Sequence, residues 1–307
     1  MTQPSLFKIY GSLILVQLIF GFPYLTTSII VERIDAFEWT AIRIFFAGVL
    51  MALLYRHRIL NFPKGKEWNF LIILSLLGIV LNTAFFTKGL EYTTPAHASL
   101  ISCMIPVMTL VFAWLLGKEE MNKYKSLSIL IAMSGALILF GIDDLDIRSE
   151  LFFGDILIFI NFSCFGLFQV LSKSMIDHHS SLGLTVLVMS LGSVILLPFS
   201  VKGIYLNYDL WLSQPWWIWF AAFYSIFFAT VVTYSLNYYA MGFVESSKVA
   251  LFIYLQPVVA GSLSVLLGRD EITVRLLVSS ALIMLGLLLS TIETKSTIET
   301  KSTSKLS

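Results

Sequence analysis

The side chains of this sequence best placed for chemistry are amides, phenols and prolines set inside apolar runs. Asn82 shares a helical face with Phe85, Phe86 and Gly89, and Tyr234, Asn237, Tyr238 and Met241 make a second stripe of the same kind. An amide beside aromatic rings can orient the polar end of a small molecule while the rings cover its apolar part. The same residues can equally serve as amide glue between neighbouring helices. Their matching places in the two halves of the chain weigh toward a cavity lining.

A second group is Gln17, Gly21, Pro23 and Tyr24, with Asn161, Gly166 and Gln169 later in the chain. Gly21-Phe22-Pro23 should kink or loosen a helix and free backbone carbonyls. Interrupted membrane helices at corresponding positions point to a ligand site, whereas glycines that only permit close packing leave no such site. These two readings stand level. Pro106 and Pro257 read as kinks or pivots, with Ser99 and Ser102 on the face of Pro106 and Gln256 beside Pro257 as candidate lining.

Lys88, His97 and Lys248 stand near the ends of apolar runs. Snorkelling to the interface is the ordinary fate of such lysines, with recognition of an anionic group as the sharper alternative. A histidine such as His97 could titrate near neutral pH and gate proton coupling, but a lone histidine is usually just hydrogen-bonded. Arg43, inside an apolar run, reads as structural, paired with Glu38 or Glu32 or reaching the headgroups. Trp216, Trp217 and Trp219 beside Pro215 suit an interfacial aromatic belt.

The constellations that would make an enzyme are missing. The sequence has no Walker A loop, no His-Glu-x-x-His and no Gly-x-Ser-x-Gly elbow. No Asp or Glu stands in the middle of an apolar run, so carboxylate-based proton coupling lacks a carrier. Asp177, His178 and His179 form the one acid–histidine cluster, in what reads as a short solvated loop. No catalytic residue, metal site or cofactor is expected.

What positions these residues must be a bilayer. The 307 residues are 57% hydrophobic and only 13% charged, with a mean hydropathy of +0.86. Soluble domains carry about 25% charged residues, and a globule of this size cannot hide so much apolar surface from water. A net charge of +1 offers no field for phosphates, which excludes nucleic acid as a partner. Cys103 and Cys164 both sit in apolar runs and suggest no disulfide framework. The first apolar run is too long for a signal peptide and should stay as a membrane helix.

A crossing helix needs about 20 apolar residues. The spacing predicts ten, near 7–30, 37–55, 68–90, 95–117, 124–141, 152–174, 182–200, 215–240, 246–267 and 273–291. With the N-terminus inside, the inner loops hold Arg56, Arg58, Lys64, Lys66, Lys118, Lys123 and Lys125 and most lysines of the second half. The outer loops hold only Arg33, Lys88, Arg148, Lys202, Arg269 and Arg275. That bias places both termini in the cytoplasm. The tail at 292–307 repeats Thr-Ile-Glu-Thr-Lys-Ser and is expected to be disordered.

The chain also repeats itself. Pro106, Gly117, Glu120 and Gly135 return 151 residues later as Pro257, Gly268, Glu271 and Gly286, and Phe20-Gly21 returns as Phe165-Gly166 at an offset of 145. Residues 1–141 and 152–291 thus form two five-helix repeats. Five is odd, so the second must start from the opposite side of the membrane, and the repeat is inverted in space.

These features resemble the EamA-type transporters of the drug/metabolite transporter superfamily over nearly the whole chain. The resemblance rests on Ala98, Ser99 and Pro106 leading to Glu119, Met121 and Asn122, and on Lys248, Ala250, Gln256 and Pro257 leading to Asp270, Ile272 and Thr273. Gly117 and Gly268 lie one residue earlier than the family pattern, and Asp270 replaces the usual glutamate, which bears on loop geometry more than on class. The resemblance implies a multi-pass inner-membrane carrier exporting or exchanging small metabolites. Efflux of an amino acid-like compound is the first expectation, drug export the second, and a membrane-embedded lipid-modifying enzyme a distant third. Its partners would be the lipid bilayer and a small-molecule substrate; a homodimer is left open.

Overall fold

The structure, a computed structural model, describes residues 6–58, 63–94, 98, 101–140, 151–176, 180–256, 258–259, 274 and 277–289. The described residues are helical throughout, with short turns between, and no strand occurs among them. Helix α1 (Leu6–Phe20) is followed by α2 (Pro23–Val31) and α3 (Ala36–Tyr55). Then come α4 (Lys66–Tyr92), α5 (Ile105–Leu115) and α6 (Lys123–Phe140). The second half holds α7 (Phe152–Ile176), α8 (Ser181–Leu206), the short α9 (Tyr208–Leu212) and α10 (Trp216–Met241). Helix α11 (Ser246–Leu251) and α12 (Leu277–Leu289) complete the set.

Local chemistry sets several of these boundaries. The Asp35 carboxylate caps α3 by accepting from Phe37 N and Glu38 N at 2.9 and 3.1 Å, and Ser180 caps α8 by accepting from Gly183 N at 2.9 Å. Pro215 precedes α10 as its cap residue. Helix α5 ends at Gly117, whose φ of 62° is the left-handed conformation that favours glycine there. The first predicted span divides at Gly21-Phe22, and Pro23 opens α2. Pro106 stands in the first turn of α5, after a break at Cys103-Met104, so it starts a helix instead of bending one. Pro257 and the 292–307 tail lie outside the described residues.

Five of the helices, spanning Ala36–Arg58, α4, α7, α8 and α10, are long and apolar enough to cross a membrane. The chain is an all-α, multi-pass membrane protein. Its surface agrees: Phe46, Leu53, Phe199, Phe220, Phe223 and Leu277 face outward, while Gln17, Asn161, Gln169, Thr185 and Lys248 are buried. Water would reverse that distribution, whereas lipid tolerates it because helices satisfy their own backbones. Trp216 is 78% exposed and Trp219 45%, at the start of α10.

The packing pairs helices from the two halves. Helix α3 lies along α8, α4 along α7, and α1 against α10, while α5 contacts both α7 and α11. The offset of 151 reappears in the backbone. Helix α4 widens into a π-helical stretch at Leu76–Leu81, and α10 does the same at Phe227–Val232. Gly135 of α6 and Gly286 of α12, 151 residues apart, are also reciprocal in space. A Cβ on Gly135 would stand 2.8 Å from Ser279 O, and one on Gly286 would stand 2.7 Å from Ser128 O. Only glycine lets these two helices approach so closely.

Polar contacts gather at two ends. At one, Ser180 Oγ donates to Arg58 O at 2.7 Å, Lys173 donates to the carbonyls of Met241 and Val244, and Lys125 bridges Glu119 at 3.2 Å and Glu245 at 3.0 Å. At the other, Glu38 accepts from Asn207 Nδ2 at 2.6 Å and Trp211 Nε1 at 3.2 Å. There Thr93 donates to Asp155 at 2.5 Å, Glu91 accepts from Ala36 N at 3.2 Å, and Arg33 lies 5.0 Å over Trp217.

Candidate functional site

Between these ends lies a central cavity of about 1040 Å³ of empty space, part of it open to the outside. The first half supplies Gln17, Phe20, Pro23, Arg43, Asn82, Thr83, Phe86 and Ile105. The second supplies Asn161, Phe162, Phe165, Phe168, Gln169, Thr230, Tyr234, Asn237, Tyr238 and Gln256 among others. Its walls are mostly rings and aliphatic groups with a few convergent amides, the usual make-up of a small-molecule site.

The amides are held in fixed places. Gln256 Nε2 donates to Gln17 Oε1 at 2.8 Å, joining α1 to the segment after α11. Asn161 Nδ2 donates to Asn82 O at 2.5 Å and Asn82 Nδ2 to Asn161 O at 3.5 Å, joining α4 to α7. Tyr234, just past the π stretch of α10, donates its phenolic proton to Gly78 O, inside the π stretch of α4, at 3.0 Å. The end of one widened stretch is therefore tied directly to the other. Thr230 Oγ1 bonds Ser225 O, five residues back, at 2.8 Å, which occupies a carbonyl of the widened turn. Tyr238 shares a hydrogen bond with Ser172 at 3.2 Å. Two amide oxygens, Asn161 Oδ1 and Gln169 Oε1, are buried without a hydrogen-bond partner; a buried unpaired acceptor is costly unless something fills it.

Of the residues singled out by sequence, Gln17, Pro23, Asn82, Phe86, Asn161, Gln169, Tyr234, Asn237, Tyr238 and Gln256 stand together on this wall. Gly21 stands off it, in the break between α1 and α2, where a Cβ would meet Leu18 O and Val259 Cγ1 at 3.5 Å. Ser102 is 1% exposed and not on the wall. Lys248 points to the end cluster, 3.2 Å from Glu245. Lys88 pairs with Glu91 at the opposite end. The side chain of Tyr24, together with His97, Ser99 and the Asp177-His178-His179 cluster, lies outside the described residues. The interruption near Gly21 has no counterpart near Gly166, because α7 is unbroken there; Gly166 instead admits Thr109, whose Oγ1 would be 3.1 Å from a Cβ.

Arg43 is the residue that sequence reasoning misplaced. It pairs with neither proposed carboxylate: Glu38 is engaged by Asn207 and Trp211, and Glu32 is exposed. Arg43 is 6% exposed, lines the cavity, and its Nε has no hydrogen-bond partner. A charge inside a membrane costs about 2.5–3.5 kcal/mol even on the mild insertion scale, which makes it a functional candidate by default. The signal was available, since positions 39, 40, 46 and 47, one turn away on either side, hold Trp, Thr, Phe and Ala and offer no acid.

A helical membrane bundle built around an apolar cavity, with convergent amides supplied by both halves, has the form of a transport protein. The comparisons agree: residues 8–141 and 152–292 match the EamA-like transporter family, and the chain belongs to it. An uncharacterized transporter of Archaeoglobus fulgidus is 28% identical over 252 residues, covering 81% of this chain and 86% of that protein. The uncharacterized transporter YoaV of Bacillus subtilis is 22% identical over 286 residues, covering 92% and 97%. A solved structure, described as a crystal structure of a protein, overlays with a TM-score of 0.73 at 16% identity, covering 94% of this chain and 96% of that one. That last likeness concerns the fold alone. Family and relatives point to a transporter of the drug/metabolite superfamily and not to an enzyme.

Proposed function

We propose that this chain is a secondary carrier that moves a small, amino acid-like metabolite outward across the inner membrane. It would do so by alternating access of two inverted five-helix halves, ten crossings in all, with both termini in the cytoplasm. The observation that carries this reading is the cavity wall itself, to which both halves contribute amides next to π-helical stretches 151 residues apart. A two-fold related pair of widened helices around one ligand space is what rocking of inverted repeats uses.

The polar ties at each end support the same reading. Glu119, Lys125, Glu245 and Ser247 link the halves at one end, and Glu38, Asn207, Thr93 and Asp155 link them at the other. Alternating access needs contacts that one state keeps and the other breaks. The unpaired oxygens of Asn161 and Gln169 suit a donor such as an ammonium or hydroxyl group. Drug export is the second reading, favoured by the rings of Phe86, Phe162, Phe165 and Phe168 on the wall.

A strain overproducing the chain, challenged with amino acids, their toxic analogues and hydrophobic drugs, should gain resistance to members of the first two sets. Resistance confined to drugs would favour the second reading. No gain, together with no uptake by proteoliposomes of any compound tested, would overturn both.

A further inference from the structure

Arg43 is a guanidinium built into the cavity wall, and among the described residues it has no counter-ion. It lies seven residues into α3, about 10 Å along the helix from its start, and is 6% exposed. Of the described acids at the nearer end, Glu38 is held by Asn207 and Trp211, Glu91 by Lys88 and the Ala36 amide, Asp155 by Thr93 and Asp35 by the first amides of α3, while Glu32 and Asp209 are exposed. Among the described residues no ion pair reaches Arg43 and no ring face covers it. The Tyr234 phenol, on the same wall, donates its proton to Gly78 O. The Arg43 Nε is left buried without a partner.

We propose that Arg43 is the anion-binding residue of the cavity and that the transported molecule carries a carboxylate on an apolar or aromatic body. A guanidinium presents parallel N–H donors that match a carboxylate two by two. Among the described residues no acid lines the cavity, so one bound carboxylate balances Arg43, whereas a phosphate dianion would leave a charge uncompensated in a low-dielectric space. The rings of Phe86, Phe162, Phe165 and Phe168 then cover the rest of the molecule. This inference rests on the carrier reading and adds to it the charge of the cargo and the residue that holds it.

The test uses the full chain in proteoliposomes with phenylacetate, phenylalanine and leucine, each beside its amide, which keeps the body and removes the carboxylate. The wild type should take up carboxylates in preference to their amides by about tenfold or more, the range of a charge-assisted pair. Arg43→Gln should bring that ratio to about one, and Arg43→Lys should keep the preference with a raised KM. Equal uptake of acid and amide by the wild type, or an unchanged ratio in Arg43→Gln, overturns the proposal. If Arg43→Gln does not fold, Arg43→Lys decides, and an unaltered KM for carboxylates counts against the guanidinium. If nothing is taken up, the carrier reading fails by itself. The anion site is then judged on thermal unfolding in detergent: a carboxylate-dependent rise in Tm that Arg43→Lys reduces sustains it, and no such rise ends it.

Discussion

Asn82 and Asn161 each donate a side-chain amide proton to the other's backbone carbonyl, at 3.5 and 2.5 Å. This reciprocal pair clamps the middle of α4 to the middle of α7 at the cavity wall, directly after the π stretch of α4 ends at Leu81. The extra residue in a π turn breaks the regular bonding ladder, and the Asn161 amide reaches a carbonyl near that break. It leaves Asn161 Oδ1 buried without a hydrogen-bond partner. One end of this amide is thus bound up in helix packing and the other is left unsatisfied.

From that division, Asn161→Ala should cost about 0.6–1.7 kcal/mol of stability, the range for interhelical hydrogen bonds in membrane proteins, and should also impair uptake. Asn82→Ala removes the longer bond but leaves its own carbonyl to accept from Asn161, so its stability loss should be smaller. Unfolding of the purified variants in mixed detergent would rank them. A larger loss for Asn82→Ala than for Asn161→Ala contradicts the assignment.

Much of this was legible in the sequence, for reasons that can be named. Gly21 and Pro23 announced the break between α1 and α2 because one releases and the other lacks a backbone bond. Composition and run length announced the bilayer. The π stretches were not legible: Leu76–Leu81 and Phe227–Val232 are ordinary apolar runs, and the bond that joins their neighbourhoods, Tyr234 to Gly78 O, links residues 156 apart in sequence. The unbroken course of α7 past Gly166 was equally hidden, since only the neighbour, Thr109, decides whether a glycine loosens a helix or packs it. Arg43 was misplaced because neither proposed partner is available in three dimensions: Glu38 is held by Asn207 and Trp211, and Glu32 is exposed.

The close approach of α6 and α12 gives a sharper stability test. Gly135→Leu or Gly286→Leu forces a side chain against backbone oxygens less than 3 Å from its Cβ, and overpacking of this kind costs about 1–3 kcal/mol. Gly11→Ala is the contrast, because a Cβ there meets nothing within 4 Å. The α6 and α12 variants should lose several degrees of Tm while Gly11→Ala stays near wild type. Equal behaviour of all three would show that these helices do not pack as described.

Glu245 supplies a pH dependence. Burial raises its carboxyl pKa, but the ammonium groups of Lys125 and Lys248 more than offset that and hold it below the usual carboxylate range. A carboxylate depressed in the folded state stabilises fully above its unfolded pKa, and that contribution disappears as pH falls through the folded value. Thermal unfolding of the wild type should therefore weaken from about pH 5 to about pH 3, and Glu245→Gln should flatten the curve in that window. A curve for Glu245→Gln that falls in parallel with the wild type would assign the acid sensitivity elsewhere.

The proposed inversion of the halves can be read directly from accessibility. Arg58 and Ser180 meet at one end of the bundle, and Glu38, Asn207 and Trp211 meet at the other. In a background with Cys103 and Cys164 replaced by alanine, single cysteines at Lys64 and at Asp209 should therefore label from opposite sides of intact cells. With the cytoplasmic N-terminus that the lysine and arginine bias implies, the impermeant reagent should reach Asp209→Cys and miss Lys64→Cys until the membrane is opened. An odd number of crossings separates these two segments in the ten-span reading, and an even number cannot carry both ends of α8 to the contacts they make. Labelling of both positions from outside would remove the inverted pair, and with it the geometric basis for alternating access.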